Sequence, residues 1–336
     1  NLKNNKLILI LHIFQMDKNI IMSNTNELNK KYQKKTDIEH ILDVPDTYIG
    51  KAEEDEKTGF ILKNLDSNEI KHETFNWVPG LYKCFDEGIV NAKDHFTRMQ
   101  EAKKKESKKK GSSSKKINLV KNIDISVDPE TGIITMKNDG NGIDVAKHPE
   151  HKLWIPEMIF GHLRTSTNYD KNEKKIVGGK NGFGFKLVLI YSKWGILETV
   201  DSSRGLKYTQ KFENNLSKIN KPNVRKSKSS DYTSVQWLPD YERFGITDFN
   251  SDIFTNMFKL FKKRTYDIGA VTDKSVKVTF NKKVVPYKTF ESYVDLFIGS
   301  KSETKRIYEK ANERWEYAVC ISPLDEFAQI SFVNGI

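Results

Sequence analysis

Gly178, Gly179, Gly182 and Gly184 lie within one short stretch, GGKNGFGFK, in which Lys180 and Lys186 flank Asn181, Gly182 and Phe183. Glycine lets backbone N–H groups turn toward a bound group and approach it closely, and a helix beginning just after favours an anion. The chemistry such a stretch could do is to wrap phosphate. It is not the P-loop pattern, because Lys180 precedes Asn rather than Ser or Thr. It is not a dinucleotide fingerprint either, because no third glycine follows Gly184 at the required spacing. Taken alone, the stretch fits a plain flexible loop equally well.

A second group of residues stands upstream. Glu87, Asn91 and Asp94 are spaced i, i+4 and i+7, and on a helix they fall within an arc of about 60°. A carboxylate and an amide one turn apart can share a task. Asn91 can offer a hard oxygen to Mg²⁺, which prefers oxygen ligands and keeps several waters. Glu87 can orient and deprotonate an attacking water. The same triplet also fits an ordinary solvated helix face. Asn138-Asp139-Gly140-Asn141-Gly142 is a second glycine turn, where a short polar side chain could hydrogen-bond a base; by itself it fits a hairpin turn as well.

Positioning these residues requires a helix under the triplet and strands leading into the turns. Pro79 opens an apolar-periodic run (Leu81, Cys84, Phe85, Ile89, Val90) that predicts a helix continuing to His95. Residues 117–127 and 131–136 predict two strands, 153–163 a helix, and 185–192 a buried helix. Strands are expected at 196–200, 206–212 and 233–238, then a linker over 239–252 and a helix over 253–266. A hairpin over 275–285 and strands at 315–321 and 329–333 complete the reading. Residues 55–73 are polar and predict a hairpin or loop.

The chain has 336 residues, a net charge of +11 and a pI near 9.2, with 37% hydrophobic and 30% charged residues. That length predicts two compact units. The basic balance points to an acidic partner such as nucleic acid or nucleotide. Much of the charge sits in KKKESKKKGSSSKK, residues 103–116, a low-complexity tract that reads as an exposed disordered loop. Cys84 and Cys320 lie far apart in apolar stretches and read as reduced core residues of an intracellular protein. The apolar run over residues 7–14 is too short to span a bilayer and lacks a cleavage site, so no membrane association is expected and Met22 is read as a natural start. The stop three residues after the 329–333 strand is read as the end of a fragment.

In this order, the helix triplet and the two glycine turns resemble the ATP site of the gyrase, chaperone, histidine-kinase and mismatch-repair ATPase superfamily. The flanking blocks narrow the resemblance. KYQKKTDIEHILDVPDTYIG, VPGLYKCFDEGIVNAKDH, NDGNGI, IPEMIFGHLRTSTNYD, KKIVGGKNGFGFKL and AQISFVNGI are similar to the N-terminal part of eukaryotic-type DNA topoisomerase II, in register from about Lys31 to Ile336. The resemblance implies Mg-ATP as cofactor, with Glu87 as general base and Asn91 as Mg²⁺ ligand. Asp94 would take a supporting role and Asn138 would recognise adenine. Ser166, Thr167 and Asn168 would contact ribose and phosphates; Lys180, Asn181, Gly182, Phe183, Gly184 and Lys186 would wrap the phosphates. Tyr48 and Ile49 match the segment near the nucleotide and dimer arm.

The implied fold is α/β: a two-layer sandwich of Bergerat type with a mixed sheet, followed by a truncated α/β transducer. Residues 1–35 would form an extension and dimer arm, 36–250 the ATPase domain and 251–336 the partial transducer. ATP would close a homodimeric N-terminal gate around double-stranded DNA, and hydrolysis would drive strand passage. A transducer lysine contacting the γ-phosphate would lie beyond Ile336, so this piece is expected to bind ATP and hydrolyse it slowly. Location would be nuclear in a cellular eukaryote, or a cytoplasmic replication site or virion for a large DNA virus. The alternatives are a chaperone- or histidine-kinase-like ATPase and a basic nucleic-acid-binding module without catalysis. Four positions depart from the family pattern: Gly88-Ile89 in place of Ile-Leu, His95 in place of Asn, and Phe185 in place of a small Ala.

Overall fold

A computed structural model describes residues 31–32, 34–107, 117–163, 184–312 and 315–335. The chain divides into two units at Asp43/Val44. In the first, helix α1 (Asp37–Asp43) is opened by a reciprocal cap: the Glu39 N–H donates to Thr36 Oγ1 at 3.2 Å and the Thr36 N–H donates to Glu39 Oε2 at 2.8 Å.

The second unit begins with α2 (Pro45–Tyr48) and the hairpin β1 (Asp55–Leu62) and β2 (Ile70–Trp77). The long helix α3 (Pro79–Ser107) follows, then the pair β3 (Asn122–Val127) and β4 (Ile134–Asp139). Short helices α4 (Ile155–Gly161) and α5 (Gly184–Ile190) precede β5 (Ser192–Asp201), β6 (Leu206–Glu213), β7 (Lys218–Ile219), β8 (Asn223–Lys226) and β9 (Tyr232–Pro239). Next come α6 (Asp252–Ala270), β10 (Lys277–Phe280), β11 (Lys283–Val284), α7 (Phe290–Ile298) and the pair β12 (Arg306–Glu309) and β13 (Tyr317–Cys320).

Nine strands form one sheet in the order β11-β10-β3-β4-β9-β5-β6-β7, with β8 also paired to β6. All neighbours are antiparallel except β10 and β3, which makes the sheet mixed. Along β4, Ile134, Met136 and Asn138 are buried while Lys137 is exposed. That alternation marks a sheet with one covered face and one wet face. Helices α3, α5 and α6 cover the first, giving two layers. Phe85 of α3 stacks on Phe261 of α6 at 4.3 Å between centroids, and Trp237 of β9 is fully buried beneath the helices.

The structure draws no boundary at Ser251, where a second domain was expected to start. Helix α6 lies against α3 and the β1–β2 hairpin, and β10 extends the main sheet by pairing in parallel with β3. Leu62 and Ile70 of the hairpin share a buried cluster with Tyr266 and Tyr293 of α6 and α7. The 239–252 segment is not a linker either. Tyr241, Phe244 and Ile246 are buried, and the Tyr241 hydroxyl donates to the Gly132 carbonyl at 2.8 Å. The strand expected over 329–333 does not form: that stretch has no regular structure, and no described residue pairs with it as a strand. Alternating apolar residues do not make a strand without a neighbour to take up its N–H and C=O groups. Both cysteines are free. Cys84 is in the core, whereas Cys320 is only half-buried.

Candidate functional site

Helix α3 presents two adjacent faces. Leu81, Cys84, Phe85, Gly88, Ile89, Ala92 and Phe96 are buried. Glu87 and Asn91 stand beside this stripe, partly accessible. The Asn91 amide donates from Nδ2 to the Glu87 carbonyl at 2.6 Å, so its Oδ1 is turned away from the helix backbone. Glu87 meets Lys83 Nζ with Oε1 at 2.7 Å. Its other oxygen faces α5: a Cβ placed on Gly184 would lie 3.6 Å from Glu87 Oε2 and 3.9 Å from Asn91 Nδ2. The first residue of α5 is therefore brought against the carboxylate and the amide, about 95 residues apart in sequence, with no side chain between them.

Two residues on, Lys186 is buried, and burial pulls its ammonium down to about 8. A cation held in that environment gains from a nearby anion. Asp94, grouped with Glu87 and Asn91 by spacing, is almost wholly buried rather than presented to a ligand. Its charge acts on Lys93 and Arg98, in each case opposing the downward pull of burial. His95 continues the face one turn beyond Asn91. Burial first, and the Arg98 charge second, push its ring down to about 4. It is neutral at pH 7, as an asparagine would be, and its Nε2 has no hydrogen-bond partner.

Asn138 sits at the end of β4, largely buried, with Nδ2 donating to the Asp139 carbonyl at 2.8 Å. Its neighbour Asp139 is structural: the carboxylate accepts from the N–H groups of Lys121 and Asn122 at 2.6 and 2.9 Å and from Asn122 Nδ2 at 2.6 Å. At Gly142 the chain passes so close to β5 that a Cβ would fall 1.8 Å from the Val200 carbonyl oxygen. Sequence reading missed the two residues that anchor this turn. Thr199 Oγ1 accepts from the Ile143 N–H at 3.0 Å, and Asp201 Oδ2 accepts from the Val145 N–H at 3.0 Å. Burial alone would raise the Asp201 carboxyl, but hydrogen bonds from Ser203, Arg204 and Val145 outweigh it and hold it at about 2. A threonine inside a strand and an aspartate at a strand end carry no signal of such a role.

Glu87, Asn91 and Gly184 thus share one place, with Lys186 two residues further along α5 and Asn138 at the end of β4. Ser166, Thr167, Asn168, Lys180, Asn181, Gly182 and Phe183 lie outside the described residues, as does most of the 103–116 tract. Among the described residues no group of three His, Cys, Asp or Glu could hold a metal ion. The donors present are amide and carboxylate oxygens on one helix face, which suits a hard ion that brings most of its ligands as water and phosphate. No helix among the described residues is long and apolar enough to cross a membrane.

No family model matches the chain. A protein described as DNA topoisomerase 2 from Acanthamoeba polyphaga mimivirus is 42% identical over 319 residues, 93% of this chain and 23% of that protein. Arabidopsis thaliana DNA topoisomerase 2 is 40% identical over 316 residues, 92% of this chain and 20% of that protein. The crystal structure of the ATPase region of Saccharomyces cerevisiae topoisomerase II bound to ICRF-187 superposes with a TM-score of 0.80 at 40% identity, covering 92% of this chain and 75% of that one. The chain belongs to the DNA topoisomerase II family. It corresponds to the ATPase region, and the topoisomerase II ATPase and transducer domains of Balamuthia mandrillaris match it with a TM-score of 0.79 at 34% identity. The chaperone-like, histidine-kinase-like and basic-module readings give way to topoisomerase II. The chain spans only about a fifth to a quarter of the length of its topoisomerase relatives.

Proposed function

We propose that this ATPase region binds Mg-ATP and hydrolyses it with Glu87 as general base, and that the whole protein is an ATP-driven type II DNA topoisomerase. The observation that carries the reading is the approach of Glu87 Oε2 and Asn91 Nδ2 to Gly184, to 3.6 and 3.9 Å from where a Cβ on that glycine would stand. Mg²⁺ would supply charge neutralisation of the phosphates. Asn91 would hold it through Oδ1, the atom its bond to the Glu87 carbonyl leaves outward. Glu87 would accept the proton of the attacking water. Lys83, paired to Oε1, orients the carboxylate so that Oε2 carries this role. Lys186, with Lys180, Asn181, Gly182, Phe183 and Gly184, would bind the phosphates, and Ser166, Thr167 and Asn168 the ribose and phosphates. Asn138 would read the adenine through Oδ1, with Asp94 supporting the helix from within.

Binding would close a homodimeric gate around double-stranded DNA by favouring the closed state. Residues 251–336 would begin the transducer. The protein would work in a nucleus, or at a viral replication site if its source is a large DNA virus.

The test is a thermal shift with a non-hydrolysable ATP analogue, with and without Mg²⁺, on the parent and on Asn91→Ala. At about 100 times its dissociation constant the analogue should stabilise the parent by about 2.7 kcal/mol. The expected result is a Mg²⁺-dependent rise in Tm that Asn91→Ala abolishes; no rise in the parent would sink the reading. Relaxation of supercoiled DNA by the full-length protein, dependent on ATP, tests the wider assignment.

A further inference from the structure

Trp237 touches both halves of the site from below. Its ring is fully buried on β9. On one side lies Gly88 of α3, so close that a Cβ there would fall 3.2 Å from Trp237 Cη2 and 2.8 Å from Met136 Sδ. On the other side lies Phe185 of α5, whose ring meets Trp237 edge-on at 5.3 Å and 87° and is backed by Phe160 at 5.3 Å. The residue before Gly88 is Glu87, and the residue before Phe185 is Gly184. Each helix thus rests one residue on the indole and presents the preceding residue to the other helix, where Glu87 Oε2 and Gly184 meet.

We infer that Trp237, gripped between Gly88 and Phe185, is the spacer that sets the separation of Glu87 from Gly184 and so aligns the general base with the phosphate-binding end of α5. Gly88 and Phe185 are a matched pair. The missing side chain on α3 lets that helix settle onto the indole, and the large ring on α5 fills the space a small residue would leave. Trp237, Gly88 and Phe185 are positioning residues. They act through Glu87 and Gly184 and touch no ligand. The inference rests on the nucleotide reading above.

The test compares ATP turnover and analogue affinity in Gly88→Ala, Phe185→Ala, Phe185→Tyr and the double variant Gly88→Ala/Trp237→Phe. Misplacing a reacting group by about 1 Å costs up to about 100-fold. Gly88→Ala is therefore expected to lower kcat by about tenfold or more while KM moves by less than about threefold, the signature of lost alignment rather than lost binding. The gain in helix propensity partly offsets the overpacking, so Tm is measured alongside and turnover is read per folded molecule, which keeps unfolding from explaining the loss. Phe185→Ala should behave alike, Phe185→Tyr should stay near the parent, and the smaller ring of Trp237→Phe should restore turnover to Gly88→Ala. Should Phe185→Ala fail to fold, Gly88→Ala and its double variant decide. Turnover per folded molecule near the parent value in Gly88→Ala, or a double variant no better than the single, overturns the spacer. A parent that binds no analogue overturns the nucleotide reading, and the spacer with it.

Discussion

Two faces of α3, about 100° apart, treat charge in opposite ways. Asp86 and Lys93 share one face. Asp86 Oδ1 accepts from Arg264 Nε at 2.6 Å, Arg264 reaches on to the Gly335 carbonyl at 2.9 Å, and Lys93 Nζ donates to the Asn334 carbonyl at 2.6 Å. All three residues are buried, and each finds its partners within the chain. On the other face Glu87 and Asn91 are less enclosed and use only part of their capacity, on Lys83 and on the helix's own carbonyl. A buried charge must be paired to be tolerated, whereas a site for a ligand must hold some of its oxygens in reserve. The first face joins α3 to α6 and to residues 334–335; the second is the face proposed to take the nucleotide.

The contrast breaks most visibly if each face is disabled in turn. Glu87→Gln should lower ATP turnover by about 10²–10⁴-fold, the usual contribution of a general base, while analogue binding persists; phosphate release and the thermal shift read the two effects separately. Arg264→Met should leave turnover per folded molecule much less changed but cost about 3–5 kcal/mol of stability, because it strands Asp86 in the interior. The double variant Asp86→Leu/Arg264→Met should recover most of that loss in urea unfolding. A double variant as unstable as the single would show that the pair itself, rather than the stranded charge, carries the effect.

The two faces were not equally legible in the sequence. Glu87 and Asn91 are close in the chain, so helical spacing alone put them together, and Gly184, which they meet, stood out in the glycine-rich stretch. The pairing of Asp86 with Arg264 spans 178 residues, and no local pattern announces it. The same limit hides the parallel pairing of β10 with β3, which joins residues about 155 apart. Asp94 shows the converse limit: spacing groups it with Glu87 and Asn91, while its burial is settled by packing that spacing does not report. Strands β7 and β8, of two and four residues, are too short for a period of two to register. Gly88 carries no local signal beyond the roughly 1 kcal/mol that a helical glycine costs; the closeness of Met136 and Trp237 is a long-range fact.

A smaller effect sharpens the contrast through pH. The Lys186 ammonium titrates at about 8 because burial disfavours its charge, and bound phosphate would raise that value. Affinity for the analogue should then be fully developed below about pH 8 and fall as the pH rises from there through the bound-state value, with proton uptake on binding near pH 8. Calorimetry in buffers of different ionisation enthalpy measures that uptake directly. Lys186→Met should abolish it and flatten the pH dependence. An unchanged uptake in the variant would assign the proton to another group.

The smallest effect belongs to Lys83. Burial pulls its pKa down, yet the hydrogen bond and charge of Glu87 outweigh this and raise it. The pair is i,i+4 on one helix, with the side chains 41% and 22% exposed. Such half-wet pairs contribute about 0.3–0.5 kcal/mol, so Lys83→Ala should barely move the urea midpoint. What it removes is the partner that occupies Oε1, freeing the carboxylate to rotate. Turnover should fall by only about two- to fivefold, far short of Glu87→Gln, and with unchanged analogue affinity. A loss as large as that of Glu87→Gln would mean that Lys83 takes a direct part in the site, and that the ligand face of α3 extends a full turn further toward Pro79.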